Sequence, residues 1–470
     1  MATPTVNYVP SAQFDTGGLG VGAYVASGYK WGGPTLGNPV ALTFSFPIGT
    51  ASYITGYSQE DEWSAWHALT GPERAAARAA LATWASFANV SFTEVGDNSI
   101  TVGEIRFAST ETIAAEFGAH AYYPFNDPSA GDVWFNYSNY NLDGGSVPPG
   151  SYDFLTNLHE IGHALGLKHP FDDDPRAPAA NDNYFYTIMS YTASPFSAHG
   201  DNYASFYPTT PMYYDLVAIE AMYGIHAYNT GNNTYDFNQG QTYWQAIQDT
   251  GGSDAIRYNG TQNSTINLNP GTFSQLSDPI AFQRPDGSLT YSRATVTIGP
   301  HVLIENAVGG DGSDLLVGNA ANNQLYGRIG DDSLYGNAGN DALVGGDGND
   351  HLIGGGGNDG LVGGPGNDSF VFNSRPGSVA NHDTLTDFDP VHDTFLLDNA
   401  VFAKLGHAGP LFPGFLRAGK HAVDVNDYLI YDRSTGNLYY DDNGWGAGHQ
   451  VLMATLRGGP VLTPHDFVVI

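Results

Sequence analysis

His159-Glu160-Ile161-Gly162-His163-Ala164-Leu165-Gly166-Leu167-Lys168-His169-Pro170 sets three imidazoles, one carboxylate and a glycine at spacings that fit a single metal ion. His159 and His163 stand four residues apart, so on a helix they project from one face, one turn apart. Glu160 lies beside them, within reach of a metal-bound water. Gly166 can end the helix in a left-handed conformation that other residues resist. The chain then turns back, and His169 can supply a third nitrogen. A fourth position stays open for water, the arrangement of a catalytic rather than a structural zinc. Around the motif, Phe154, Leu158, Ile161 and Leu165 form one apolar stripe nearly opposite the histidines. The helix can therefore pack on a core while His159 and His163 face a cleft. A surface helix with solvated histidines is the competing reading, and it gives no reason for the glycine and the third histidine.

The extended HExxHxxGxxH pattern resembles the metzincin signature. Pro170, directly after the third histidine, resembles the serralysin branch of that group. Thr187-Ile188-Met189-Ser190-Tyr191 is similar to the serralysin Met-turn, and Pro211 to Ile219 resembles the helix that follows it. The resemblance implies that Met189 forms an apolar floor under one catalytic zinc. It also implies that Tyr191 reaches the metal and then turns to the reaction intermediate. His159, His163 and His169 become the zinc ligands and Glu160 the general base, with no covalent acyl-enzyme.

Composition agrees. The chain has 470 residues, with 16 Lys plus Arg against 48 Asp plus Glu, a formal charge of -32. Nucleic acid and anionic membranes are disfavoured as partners. No run is long enough to span a membrane. There are no cysteines, which excludes disulfides, thiolate metal sites and a cysteine-switch zymogen. Met1-Ala2-Thr3-Pro4-Thr5-Val6 shows neither the basic region nor the apolar core of a Sec signal.

Residues 309–371 divide into seven nonapeptides: GGDGSDLLV, GNAANNQLY, GRIGDDSLY, GNAGNDALV, GGDGNDHLI, GGGGNDGLV and GGPGNDSFV. This resembles the calcium-binding RTX repeat. Glycines permit the tight turn and close carbonyl approach, and the sixth position supplies a hard anionic oxygen. The apolar eighth position points inward from a short strand. Two repeats make one coil of a parallel β-roll in that family, so Asp332 and Asp350 share one row, and Asp341 and Asp359 the other. The expected calcium ligands are Gly309, Asp311, Asp314, Gly327, Asp332, Gly336, Asp341, Gly345, Asp350, Gly354, Asp359 and Asp368. The second repeat departs from the pattern with Ala321 and Asn323, which predicts a weak or missing site. A structureless Gly/Asn/Asp linker does not explain the unbroken nine-residue phase.

The expected architecture is an α+β metzincin-like domain followed by an all-β parallel roll. Residues 1–228 read as the protease-like domain, 229–308 as a connecting β segment, 309–371 as the roll and 372–470 as a C-terminal β segment. Thr70 can cap a helix over about 71–89. Residues 103–107 and 131–136 read as strands. The resemblance makes the second of these the edge strand above the cleft, while from sequence alone it reads equally as an interior strand. Asp249, Asp254 and Glu305 keep the family pattern for extra calcium ligands. Asp383, Asp387, Asp389, Asp393 and the turn Tyr440 to Gly444 read as further calcium sites or as solvated turns. Asp466-Phe467-Val468-Val469-Ile470 resembles a type I secretion terminus.

Two functions fit these features. One is a secreted, extracellular zinc endopeptidase acting on proteins or peptides. The resemblance adds type I secretion machinery as a partner, admits a proteinaceous inhibitor, and points to a monomer. The other is a non-catalytic calcium-dependent surface or adhesion protein. The repeats suit both, but an adhesion module has no use for Glu160 beside three histidines.

Overall fold

The structure is a computed structural model describing residues 24–49, 53, 56–58, 60–98, 100–141, 143–172, 175–377, 381–445 and 449–470. The opening Met1 to Val6, read for an export leader, lies outside them. Two compact units form. The first comprises Met1–Thr230, Thr242–Thr250 and Asp278–Val302; the second comprises Gly231–Gln241, Gly251–Ser277 and Leu303–Ile470. Residues 229–308, expected as one connecting segment, thus divide between both units.

The first unit is α+β. Its sheet holds β1 (Val40–Ser45), β2 (Trp66–His67), β3 (Val90–Glu94), β4 (Ile105–Thr110), β5 (Ala119–Ala121) and β6 (Val133–Asn136). The spatial order is β3-β1-β4-β6-β5, with β2 also pairing on β4. β3, β1, β4 and β6 run parallel to one another, β5 runs antiparallel to β6, and β2 runs antiparallel to β4. The expected edge strand is therefore corrected. Val133–Asn136 is interior, bonded to β4 on one side and β5 on the other, and all four of its residues are buried. Ala119–Ala121 ends the sheet.

Helix α1 (Gly71–Phe87) begins at Thr70, whose N–H donates to the Glu73 carboxylate at 2.7 Å in a capping box. Leu81, Trp84 and Phe87 give it a buried side. Helix α2 (Tyr152–Leu165) is capped by Ser151 and ends at Gly166, at φ 107°. A Cβ on Gly166 would collide with the Tyr29 carbonyl, so glycine is required there by conformation and by space. The stripe of Phe154, Leu158, Ile161 and Leu165 is buried as expected. Trp84 of α1 donates its indole N–H to the Leu158 carbonyl at 3.0 Å, locking the two helices together. Helix α3 (Tyr213–Tyr223) follows the Met-turn.

The second unit is a parallel roll with two sheets. In one, Thr265–Asn267, Leu315–Val317, Ser333–Ala338, His351–Gly356, Ser369–Phe372, Thr394–Leu397 and Phe467–Val469 pair successively in parallel. In the other, the parallel order is Thr234–Asn238, Ala255–Asn259, Asn306–Val308, Gln324–Ile329, Ala342–Asp347, Gly360–Val362, Asp383–Leu385 and Gln450–Leu456. The eighth repeat positions stack in register: Leu316, Leu334, Leu352 and Phe370 on one side, Leu325, Leu343 and Leu361 on the other, all fully buried. The same columns continue past the repeats, through Phe395 to Phe467 and through Leu385 to Leu456. Two repeats per coil therefore hold, and the terminal strand is part of the roll's core.

Candidate active site and carboxylate ladders

His159 and His163 leave α2 on one face, and the turn at Gly166 brings His169 back to them. Their ligand atoms all lie within 4.8 Å of one another. Each Nδ1 is already committed. His159 Nδ1 donates to the Ile188 carbonyl at 2.8 Å, and His163 Nδ1 to the Leu167 carbonyl at 2.7 Å. His169 Nδ1 bonds the Asp172 carboxylate at 2.8 Å. These bonds fix the tautomers, leaving the three Nε2 lone pairs to converge. His163 Nε2 and His169 Nε2 stand 3.1 Å apart, an approach of two acceptors that a cation between them would relieve. Burial pushes the His159 pKa down to about 3 and His163 well below its usual value, so both stay neutral, the form that binds metal. The donor set fits a tetrahedral zinc with an open position.

Glu160 is buried, and its Oε2 has no hydrogen-bond partner. Burial raises its pKa to about 8; a divalent cation alongside would favour the carboxylate instead. The ring of Tyr191 lies 4.6 Å from that of His169 and 5.6 Å from that of His159, and 41% of the residue is exposed. Its hydroxyl makes no hydrogen bond among the described residues. Met189 is fully buried under the helix. A Cβ on Gly162 would come within 2.7 Å of Met189 Sδ, so the glycine in the motif makes room for the methionine.

Two carboxylates that sequence reasoning gave no role hold this geometry. Asp215 of α3 is fully buried and accepts from the Thr187 hydroxyl at 2.6 Å and from the Ile188 and Met212 amides at 2.9 Å each. It pins the turn that carries Met189 and the Ile188 carbonyl. The sequence signal was an aspartate in the first turn of a mostly apolar helix. Asp172 orients His169 from a half-exposed position. Replacing Asp172 with alanine is expected to weaken metal affinity by about 10–100-fold, read by competition with a chelating dye. Unchanged affinity would show that His169 needs no such support.

A cleft of about 220 Å³ opens beside these groups, lined among others by Gly118, Ala119, Leu155, His159, Glu160 and Tyr191. The free edge of β5 therefore borders His159, Glu160 and Tyr191.

In the second unit the repeat aspartates form two ladders. The amide of Asp314 donates to Asp332 Oδ1 at 2.7 Å, Asp332 to Asp350 at 2.9 Å, Asp350 to Asp368 at 2.9 Å and Asp368 to Asp393 at 3.0 Å. The other row runs from Asn323 to Asp341, Asp359 and Asp383 at 2.7, 2.8 and 3.1 Å. Oδ2 of Asp332, Asp341, Asp350, Asp359 and Asp368 is buried without a partner. Burial pushes Asp332 and Asp341 up to about 7, and Asp350 and Asp368 to about 6. Such orphaned hard oxygens, each packed against the glycine five residues earlier, fit calcium. Those glycines are Gly327, Gly336, Gly345, Gly354 and Gly363; Gly309 packs likewise on Asp314.

Other expected ligands fall differently. Asn323 satisfies itself with neutral bonds to the Glu305 carbonyl and Asn319, and it brings no anionic oxygen to the second repeat. Asp311 sits in a surface ion pair with Arg328 at 3.1 Å instead of in the ladder. Asp254 and Glu305 join end to end, the Asp254 amide donating to Glu305 Oε2 at 2.8 Å. Asp249 is buried in the first unit.

The helix with its returning histidine, the methionine turn below and the mixed sheet above define a metzincin. Residues 66–176 match the Matrixin family model, and residues 214–406 match Peptidase M10 serralysin C terminal. Serralysin C of Dickeya chrysanthemi is 35% identical over 316 residues, 61% of this chain and 61% of that relative. Serralysin of Proteus mirabilis is 30% identical over 349 residues, 67% of this chain and 66% of the relative. Metalloprotease AprA of Pseudomonas entomophila is 31% identical over 353 residues, 66% and 67% of the two chains. The chain belongs to the serralysin family, spanning about three fifths to two thirds of the length of these relatives.

Proposed function

We propose that the protein is a zinc-dependent endopeptidase of proteins and peptides, secreted to the cell exterior, with a calcium-stabilised roll. The observation that carries this reading is the convergence of three Nε2 atoms, each with its Nδ1 committed, beside the partnerless oxygen of Glu160 in the cleft under β5. His159, His163 and His169 would hold the zinc. Bound there, it supplies Lewis acidity that lowers the pKa of water and polarises a carbonyl.

The chain's own groups do the rest. Main-chain donors and acceptors on the free edge of β5 take the substrate as an added antiparallel strand. Glu160 accepts the proton of the attacking water and later delivers it to the leaving amine. The Tyr191 hydroxyl donates to the oxygen on which negative charge develops. Asp172, Ile188 and Leu167 keep the imidazoles in the right tautomer. Asp332, Asp341, Asp350, Asp359 and Asp368 would hold calcium with the carbonyls of neighbouring glycines. Export would use type I secretion machinery, and the cleft could be closed by a proteinaceous inhibitor. The adhesion reading leaves Glu160 and the ordered imidazoles without a purpose. Casein hydrolysis with and without a zinc chelator separates the two: no hydrolysis by the metal-loaded protein would end the endopeptidase reading.

Tyr191→Phe is expected to lower kcat by about 10-fold or more while KM changes little, because its hydroxyl acts in the transition state. Steady-state kinetics on a peptide substrate measures this; a change confined to KM would refute the role.

A further inference from the structure

Glu62 stands outside the groups described so far, yet it grips the strand that borders the cleft. It lies in a short 3-10 turn and is fully buried. Its main-chain carbonyl accepts the Thr110 hydroxyl at 3.0 Å, which ties it to the end of β4. Its carboxylate reaches β5. Oε1 accepts from His120 Nε2 and from the Tyr122 hydroxyl at 2.6 Å, and Oε2 accepts from the Ser58 hydroxyl. Burial alone would raise its pKa, but the donors His120, Ser58 and Tyr122 hold it below the usual carboxylate range. The His120 and Tyr122 rings meet edge-on at 5.5 Å.

β5 needs such a hold. It has three residues and, among the described residues, pairs with β6 alone. Strands this short, with one neighbour, open readily. The approach to β5 is fixed separately: Asn136 Nδ2 donates to the carbonyls of Ile113, Ala114 and Phe117 at 3.2, 3.1 and 2.9 Å. Alternation along the strand puts His120 and Tyr122 on one face and Ala119 and Ala121 on the other. Ala119 lines the cleft. Glu62 thus holds β5 from the face turned away from the cleft and leaves its edge free.

We propose that Glu62 is a positioning residue for substrate: it fixes β5 at sheet spacing, so that an extended peptide meets a preformed row of main-chain donors and acceptors. The proposal rests on the endopeptidase reading. Its physical content is that the ordering of β5 is completed in the free protein instead of being charged to each binding event.

The test uses the full-length, zinc- and calcium-loaded protein with Glu62→Gln, and Tyr122→Phe as the milder variant. Amide hydrogen exchange over residues 117–123 should rise about tenfold, the factor of one charge-assisted hydrogen bond, while exchange in α2 stays as in wild type. KM for an octapeptide that lies along β5 should rise about tenfold, with kcat kept within about twofold. For a dipeptide amide too short to reach β5, KM should not move. Unchanged exchange over 117–123 would overturn the proposal, as would an equal fall in kcat on both substrates. Should wild type hydrolyse neither peptide, the endopeptidase reading falls, and exchange alone decides whether Glu62 holds β5.

Discussion

Glu160→Gln is expected to yield a protein that carries one zinc ion per chain and is nearly inert. The three nitrogens and their partners Ile188, Leu167 and Asp172 are untouched by the change. Glutamine fills the same space, so the packing around α2 survives. What disappears is the group that takes and returns a proton, worth about 10²–10⁴-fold in turnover. Elemental analysis for zinc alongside casein hydrolysis checks both halves. Glu160 is buried with an oxygen that has no hydrogen-bond partner, and burial raises its pKa to about 8, so its removal costs the fold little. Near-normal turnover by the metal-loaded variant would remove Glu160 from the mechanism.

Calcium removal is the second large effect. Five buried carboxylate oxygens stand without partners in two rows, and the neighbours in each row repel one another when charged. Extracellular calcium modules bind with dissociation constants of about 10⁻⁴–10⁻³ M. At about 1 mM calcium, a 10⁻⁴ M site contributes about 1.4 kcal/mol by mass action. Five such sites contribute about 7 kcal/mol, on the scale of a whole domain's net stability of about 5–15 kcal/mol. The second unit should therefore be largely unfolded at submicromolar calcium and fold at millimolar calcium. Far-UV circular dichroism of the intact chain, with limited proteolysis of residues 303–470, reads the transition. Equal β content and equal protease resistance in chelator and in calcium would refute it. Replacing Asp341 and Asp350 together should move the midpoint to higher calcium, since each sits inside its row and serves both neighbours.

What the sequence made legible was local or strictly periodic. His159, His163, Gly166 and His169 lie within one helix and one turn, so spacing alone places them together. The roll declared itself through a nine-residue phase that survives seven repeats. Order within the mixed sheet was not legible. Residues 119–121 and 133–136 are both short, and only the folded chain shows which one has a second neighbour. The uses of Asp215, Asp172 and Glu62 were hidden for a similar reason, because a buried carboxylate is defined by donors distant in sequence. Asp383 and Asp393 continue the ladders, yet they come 24 and 25 residues after their partners instead of 18, so the phase that exposed the other rungs is lost there. Asp311 fits the repeat consensus but meets Arg328, which stands where most repeats have glycine or another small residue.

The eighteen-residue step between rungs also limits how such a chain can change its length. A gain or loss of one nonapeptide would move every later strand to the opposite sheet and swap the two columns of leucines and the two rows of aspartates beyond it. A gain or loss of two would return each later residue to its own row, with one coil more or fewer. The roll therefore has a unit of growth twice its unit of repetition, and copying errors in multiples of that larger unit are the ones its hydrogen bonds and carboxylate rows can absorb.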